Sequence, residues 1–295
     1  MKKFSFIIVV CALILIFVLK DKEMMTEVKD MTISAEAAIL IEEETGKVLY
    51  EENSAKLLPI ASISKLMTQY LVLNAINDGV ITWESVYQPS DYVQRLTGNA
   101  GVVKLGMTTG HSYTVEELFT AMTVSSANDA AMALAEMVSG TEEAFVELMN
   151  EQAKIWGLKE TTFYNASGLD GDYIGKGQDQ TNLSSARDVA VIAQKLINKH
   201  PEVLDFASMT DFTTSEGMRL WSTNLMLPGM PKAFPGIDGL KTGYTDQAGS
   251  CFVSTGVFDG RRMITVVLDV ESDGEDTINP RFELTRDLFE RFVLN

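Results

Sequence analysis

The sequence predicts an α+β fold, one antiparallel sheet packed against a mostly helical lobe. Three observations predict it. β-type runs lie towards both ends of the chain, helical periodicity fills the middle, and neither an internal repeat nor a second-domain boundary breaks the pattern. A length of 295 residues suits one large domain, and 46% hydrophobic content is that of a globular chain.

The elements follow in order. Met1-Lys2-Lys3 is basic, Phe4 to Leu19 is an apolar run, and Lys20-Asp21-Lys22 closes it. Residues 1–20 therefore read as a signal peptide or an uncleaved N-terminal membrane anchor, and the chain as exported to the extracytoplasmic side of a bacterial membrane. The run is slightly short for a spanning helix, which needs about 17–25 residues. Residues 21–34 are charged and unpatterned, a linker, and 35–295 form the folded domain.

Ala37 to Ile41 and Val48 to Tyr50 are strands joined by Glu44-Thr45-Gly46, a hairpin signal. From Ser62 to about Asn77 the apolar residues recur at helical spacing. Residues 80–113 read as loops and short strands. Thr114-Val115-Glu116-Glu117 is a capping box that opens a helix through about Ser125. Further helices are expected over Asp129–Val138, from Thr141 to near Gly157, and from Ser185 to His200-Pro201. Phe206 to Arg219 reads as a hairpin around Glu216-Gly217. Strands follow near Leu240–Thr245, Cys251–Phe258 and Met263–Val270, the last two joined by Asp259-Gly260, and Pro280–Val293 is a closing helix.

Composition removes several function classes. Acids outnumber bases 41 to 24, a formal charge of -17, so a phosphate backbone would be repelled and no nucleic-acid partner is expected. Two cysteines and two histidines cannot build a disulfide framework or a Cys/His zinc cage, and no cofactor or metal is expected. Cys251, in an apolar run, is expected to be buried and inert. A Ser-His-Asp triad needs a histidine base. His200 sits at a helix C-terminus, where a cation complements the dipole, and His111 sits in a turn. A hydrolase built here needs another base.

Lysine serves when its pKa is lowered. Ser62-Ile63-Ser64-Lys65 offers that pair at the start of an apolar helix, where residues three apart share a face. Alone the motif is weak: with 20 serines and 16 lysines, roughly one S-x-x-K is expected by chance. Read blandly, Ser62 is a helix cap and Lys65 a solvated residue. Ser126-Ala127-Asn128 lies at the junction of two apolar helices, where capping by Asn128 is the bland alternative. Lys241-Thr242-Gly243 lies on a strand, with a glycine that suits close approach of another backbone. An ordinary strand with an exposed lysine is the alternative there.

The order S-x-x-K, S-x-N, K-T-G is the set shared by penicillin-binding proteins and serine β-lactamases. The flanks Pro59-Ile60-Ala61 and Leu66-Met67-Thr68, Asp129-Ala130, and Asp238-Gly239-Leu240 with Tyr244-Thr245 resemble those of the low-molecular-mass serine D-alanyl-D-alanine carboxypeptidases. So do Gly46-Lys47-Val48-Leu49-Tyr50, Asn165-Ala166-Ser167-Gly168-Leu169-Asp170 and Ser185-Ala186-Arg187-Asp188. The resemblance covers about residues 35–293.

The resemblance implies a β-lactamase/transpeptidase-like fold with a five-stranded antiparallel sheet. It implies that Ser62 attacks the carbonyl of the terminal D-Ala-D-Ala bond of a peptidoglycan stem peptide and that Lys65 takes its proton. Ser126 and Asn128 would complete the relay and hold the substrate amide. Lys241 and Thr242 would bind the terminal carboxylate beside Gly243, and the N–H groups of Ser62 and Tyr244 would form the oxyanion hole. β-Lactams would acylate Ser62 as covalent inhibitors.

The sequence departs from the family pattern in three places. Relatives often extend into a small β domain and an amphipathic membrane helix, whereas this sequence ends at Asn295, so membrane contact is expected only through the N-terminal segment. Tyr244 stands where some relatives carry histidine. Ser222-Thr223-Asn224 stands where some carry Asn-Arg-Asn, which weakens the expectation for carboxylate affinity. Two rival functions share the motifs. A serine β-lactamase of class A needs a deacylating glutamate, and no Glu-x-x-Leu-Asn segment occurs between Ser126 and Lys241. A non-catalytic binding module is the other rival, either an antibiotic sensor, a type usually fused to signalling domains, or a degenerate carboxypeptidase, and intact Ser62, Lys65, Asn128 and Lys241 argue against degeneration.

Overall fold

The structure is a computed structural model and describes residues 35–98, 101–271 and 280–294. The expected signal or anchor (1–20) and linker (21–34) lie outside the described residues. Five strands, β1 (Ala35–Glu42), β2 (Val48–Glu52), β3 (Ile237–Thr245), β4 (Gly249–Phe258) and β5 (Arg261–Val270), form one sheet in the order β2-β1-β5-β4-β3. Every pairing is antiparallel, as the α+β reading required. Asp259 and Gly260 both take positive φ (50° and 75°), the conformation a tight β4–β5 turn needs.

The central strands are buried on both faces, which explains their near-continuous apolar runs. Val253, Ile264 and Val266 face the helical lobe and share its core. Phe252 and Phe258 face the other way, against Phe282 and Phe289 of the closing helix, with ring centroids 5.1 Å and 4.7 Å apart. β3 is an edge strand, and that edge borders the site.

The lobe contains α1 (Lys65–Asn77), α2 (Asp91–Thr97), α3 (Val115–Val124), α4 (Asn128–Ser139), α5 (Glu142–Ile155), α6 (Ala186–Lys199) and α7 (Val203–Ala207), and α8 (Pro280–Phe292) closes the chain. α1 is buried over most of its circumference, including Leu66, Met67, Val72 and Leu73, because it runs through the centre of the lobe. Each such side chain contributes roughly 1.5–3 kcal/mol on burial. α3 and α5 are capped by Thr114 and Thr141, whose side chains accept from the N–H groups of Glu117 and Ala144.

Three local expectations are corrected. Residues 80–113 contain α2, capped by Ser90 through the Val93 N–H at 3.2 Å; seven residues are too few to show a helical period. The β character expected from Phe206 begins only at Asp211. Val203–Ala207 is helical because Phe206 must reach Trp83 and Phe119, at ring distances of 5.4 Å and 5.0 Å. The His200 ring is fully buried, its Nε2–H donates to Asn74 Oδ1 (2.8 Å), and burial lowers its pKa. Burial thus favours the neutral form over a cation at this helix end, while Glu202, 3.3 Å from Nδ1, opposes it.

Candidate active site

Ser62 sits in a 3-10 turn, Ala61–Ser64, that feeds directly into α1. Ala61 has a positive φ of 45°, a strained value for a residue with a Cβ. Gly168 packs on this turn so closely that a Cβ there would collide with the Ala61 carbonyl. The turn places the Ser62 hydroxyl at the cleft and Lys65, the first residue of α1, directly behind it.

Lys65 Nζ has three neighbours: Ser62 Oγ at 2.8 Å, Asn128 Oδ1 at 2.7 Å and the Ser167 carbonyl at 2.5 Å. An ammonium donates to all three. A neutral amine keeps two donors for Asn128 and Ser167, and its lone pair then accepts the Ser62 O–H. Lys65 is 0% exposed. Burial, followed by the charge of Lys241, holds its pKa well below the ordinary lysine range, and Asp129 opposes them.

Ser126 adopts a positive φ of 66° in the link between α3 and α4. Its hydroxyl accepts from Lys241 Nζ at 2.9 Å. Lys241 is also buried, and burial, with Arg281 second, lowers its pKa to about 7. On β3, Lys241 pairs in register with Val253, whose side chain belongs to the lobe core. Gly243 backs onto the serine turn, where an added Cβ would lie 3.1 Å from the Ile60 carbonyl. The strand and the turn therefore meet because no side chain separates them.

Thr242 Oγ1 bonds Thr223 Oγ1 at 2.6 Å, so the segment where some relatives carry an arginine does border the site. Tyr244 is 48% exposed at the mouth. Asn128 uses its amide on the Val103 carbonyl (2.9 Å) and leaves the capping position of α4 to Ala127. A cleft of about 420 Å³ is lined by Ser62, Ser126, Asn128, Thr242, Gly243 and Tyr244, among others. All eight residues singled out from the sequence thus converge, with Lys65 and Lys241 buried behind the wall.

Four contributions had been missed. The Ser167 carbonyl holds Lys65, but a backbone acceptor has no sequence signal of its own. Asp129 fixes the cleft wall by accepting from the Leu105 and Gly106 N–H groups at 2.8 Å and 2.9 Å. The Val103 carbonyl orients Asn128. Arg281, in the first turn of α8, lines the cleft and donates to the Gly243 carbonyl at 2.9 Å and the Cys251 carbonyl at 3.3 Å. Burial lowers its pKa to about 10. Cys251 is fully buried, and burial pushes its thiol up to about 12, so it is not a nucleophile at neutral pH.

A hydroxyl backed by a desolvated lysine, between a helical lobe and the edge of an antiparallel sheet, defines a serine acyl-transfer site. The peptidase S11 family model, described as D-alanyl-D-alanine carboxypeptidase, matches residues 23–272. The D-alanyl-D-alanine carboxypeptidase DacF of Bacillus subtilis is 35% identical over 251 residues, covering 82% of this chain and 59% of its own. The solved structure of a peptidoglycan synthesis regulatory factor (PBP3) from Streptococcus pneumoniae superposes with a TM-score of 0.84 at 43% identity, over 89% of this chain and 72% of that one. Penicillin-binding protein D2 from Listeria monocytogenes, solved in an ampicillin-bound form, gives a TM-score of 0.75 at 38% identity, over 89% and 98% of the two chains. The chain belongs to the D-alanyl-D-alanine carboxypeptidase family. It spans less than two thirds of the length of the first curated relatives it matches.

Proposed function

We propose that the chain is a serine-type D-Ala-D-Ala carboxypeptidase that removes the terminal D-alanine from peptidoglycan stem peptides. The observation that carries this reading is the 2.8 Å separation of Lys65 Nζ and Ser62 Oγ, with the amine out of water. Neutral Lys65 takes the proton as Ser62 Oγ bonds to the carbonyl carbon of the penultimate D-alanine. Edge strand β3 and the serine turn supply the Tyr244 and Ser62 N–H groups for the oxyanion. The C–N bond then breaks. The leaving amine takes a proton from Lys65 along the Ser126 side of the site, and D-alanine departs with its carboxylate released from Lys241 and Thr242. Water deprotonated by Lys65 attacks the acyl-serine and restores the hydroxyl.

The same chemistry acylates Ser62 when a β-lactam occupies the cleft. The family and the ampicillin-bound relative support this inhibitor class. Export, with membrane contact through residues 1–20, is supported by the basic start and apolar run of that segment. D-alanine release from a diacyl-Lys-D-Ala-D-Ala peptide tests the activity. The unaltered protein releases it and Ser62→Ala does not; equal release by both contradicts the assignment.

A further inference from the structure

A second pocket, of about 290 Å³, opens between α2 and the turn Gly171–Ile174. It is lined by Tyr92, Arg95, Leu96, Tyr173, Ile174 and Gly175. Tyr173 also lines the cleft that holds Ser62, so one side chain borders both spaces. The wall of this pocket is tied to the catalytic lysine through a buried carboxylate that the mechanism does not otherwise use. Glu142, 1% exposed, accepts from the Tyr92 hydroxyl at 2.5 Å with one oxygen and from the Ala166 N–H at 2.9 Å with the other. The next residue is Ser167, whose carbonyl holds Lys65 Nζ. A group resting on Tyr92 is therefore held in fixed register with the base.

The pocket also carries a cation. The Arg95 guanidinium lies 5.9 Å from the centre of the Tyr92 ring and has no ion-pair partner among the described residues. It stands beside the cleft of a chain with 41 acids against 24 bases. An unpaired guanidinium beside the Tyr92 ring, in a pocket that Tyr173 also lines, suits a short apolar stem that ends in a carboxylate.

We propose that this pocket is the subsite for the substrate upstream of the scissile bond, and that it selects an acidic residue there through Arg95, with Tyr92 and Tyr173 against its stem. The proposal rests on the carboxypeptidase reading for which end of the substrate enters it. Arg95 is exposed, so the preference is modest, about fivefold in affinity for a carboxylate over the carboxamide.

The test uses two labelled peptides ending in D-Ala-D-Ala, identical except for a carboxylate or a carboxamide on the upstream residue. Their affinities for the Ser62→Ala protein are read by fluorescence anisotropy, with and without Arg95→Gln or Tyr173→Ala. The carboxylate peptide is expected to bind about fivefold tighter. Arg95→Gln is expected to abolish that difference, and Tyr173→Ala to weaken both peptides. Arg95→Gln is expected to keep the thermal unfolding midpoint of the parent protein, which separates a lost subsite from a lost fold. Equal binding of the two peptides, binding of neither, or a preference that survives Arg95→Gln overturns the subsite. D-alanine release by the unaltered protein is scored separately. A preference in binding without any release contradicts the carboxypeptidase reading and leaves the subsite standing.

Discussion

Lys65 Nζ and Ser62 Oγ lie 2.8 Å apart, and the amine that makes this contact has no exposed surface. The pairing follows from geometry that is local in sequence, since residues three apart at a helix entrance share a face. The chemistry follows from burial, because a lysine removed from water gives up its proton and becomes a base.

Replacing the base by a group that stays charged tests this directly. Lys65→Arg retains a cation but puts a guanidinium, which does not deprotonate in proteins, where a proton acceptor is needed. Ser62 acylation by penicillin is expected to slow by about 10²–10⁴-fold, measured by stopped-flow fluorescence.

Lys241, the cation proposed for the terminal carboxylate, sets a second pH limit. Burial, with the charge of Arg281, lowers Lys241 to about 7. Lys241 is charged below that value and neutral above it, so kcat/KM for carboxylate-bearing peptides is expected to fall as pH rises through about 7. Arg281→Gln removes a positive neighbour and raises the Lys241 pKa, which moves this descending limb to higher pH. A limb that stays in place in Arg281→Gln contradicts the assignment.

Gly168 is expected to be intolerant of any side chain. Its φ is 83°, and a Cβ would meet the Ala61 carbonyl in the turn that carries Ser62. Gly168→Ala is expected to cost about 1–3 kcal/mol in denaturant-induced unfolding. It is also expected to lower the acylation rate more than Gly140→Ala does. Gly140 has a similar φ of 81° but open space around it.

Thr242 and Thr223 share a 2.6 Å hydrogen bond at the edge of the cleft. Thr242→Val removes that bond and the hydroxyl proposed to turn to the substrate carboxylate, a loss of about 0.5–1.5 kcal/mol. The expected result is a KM raised by up to about tenfold for D-Ala-D-Ala peptides, with a smaller change in kcat.

Much of this was legible in the sequence for a physical reason. The sheet announced itself through β-branched runs bounded by Gly-containing turns, and α3 through a capping signal whose Thr114 hydroxyl accepts from the Glu117 N–H, while the Glu117 carboxylate turns to Ser215. The eight site residues were legible because each triplet lies where a backbone feature fixes it: a helix entrance, a helix junction, a strand with a glycine. The remainder arises only from tertiary contact. α2 is too short for periodicity, although Ser90-Asp91 is a cap signal that could have found it. Arg281 sits 40 positions from Lys241 in an unremarkable helix, and only sheet packing brings it to the Gly243 carbonyl. His200 looked like a helix-end cation because its burial between α1 and α6 leaves no trace in local sequence.

The most direct measurement is the mass of the peptide containing Ser62 after brief exposure to a penicillin, followed as a function of pH. The account predicts an adduct on Ser62 whose rate of formation rises with an apparent pKa well below the ordinary lysine value, because neutral Lys65 is the acceptor. An adduct on another residue contradicts it. So does a rate that climbs only in the ordinary lysine range, near about 10.4.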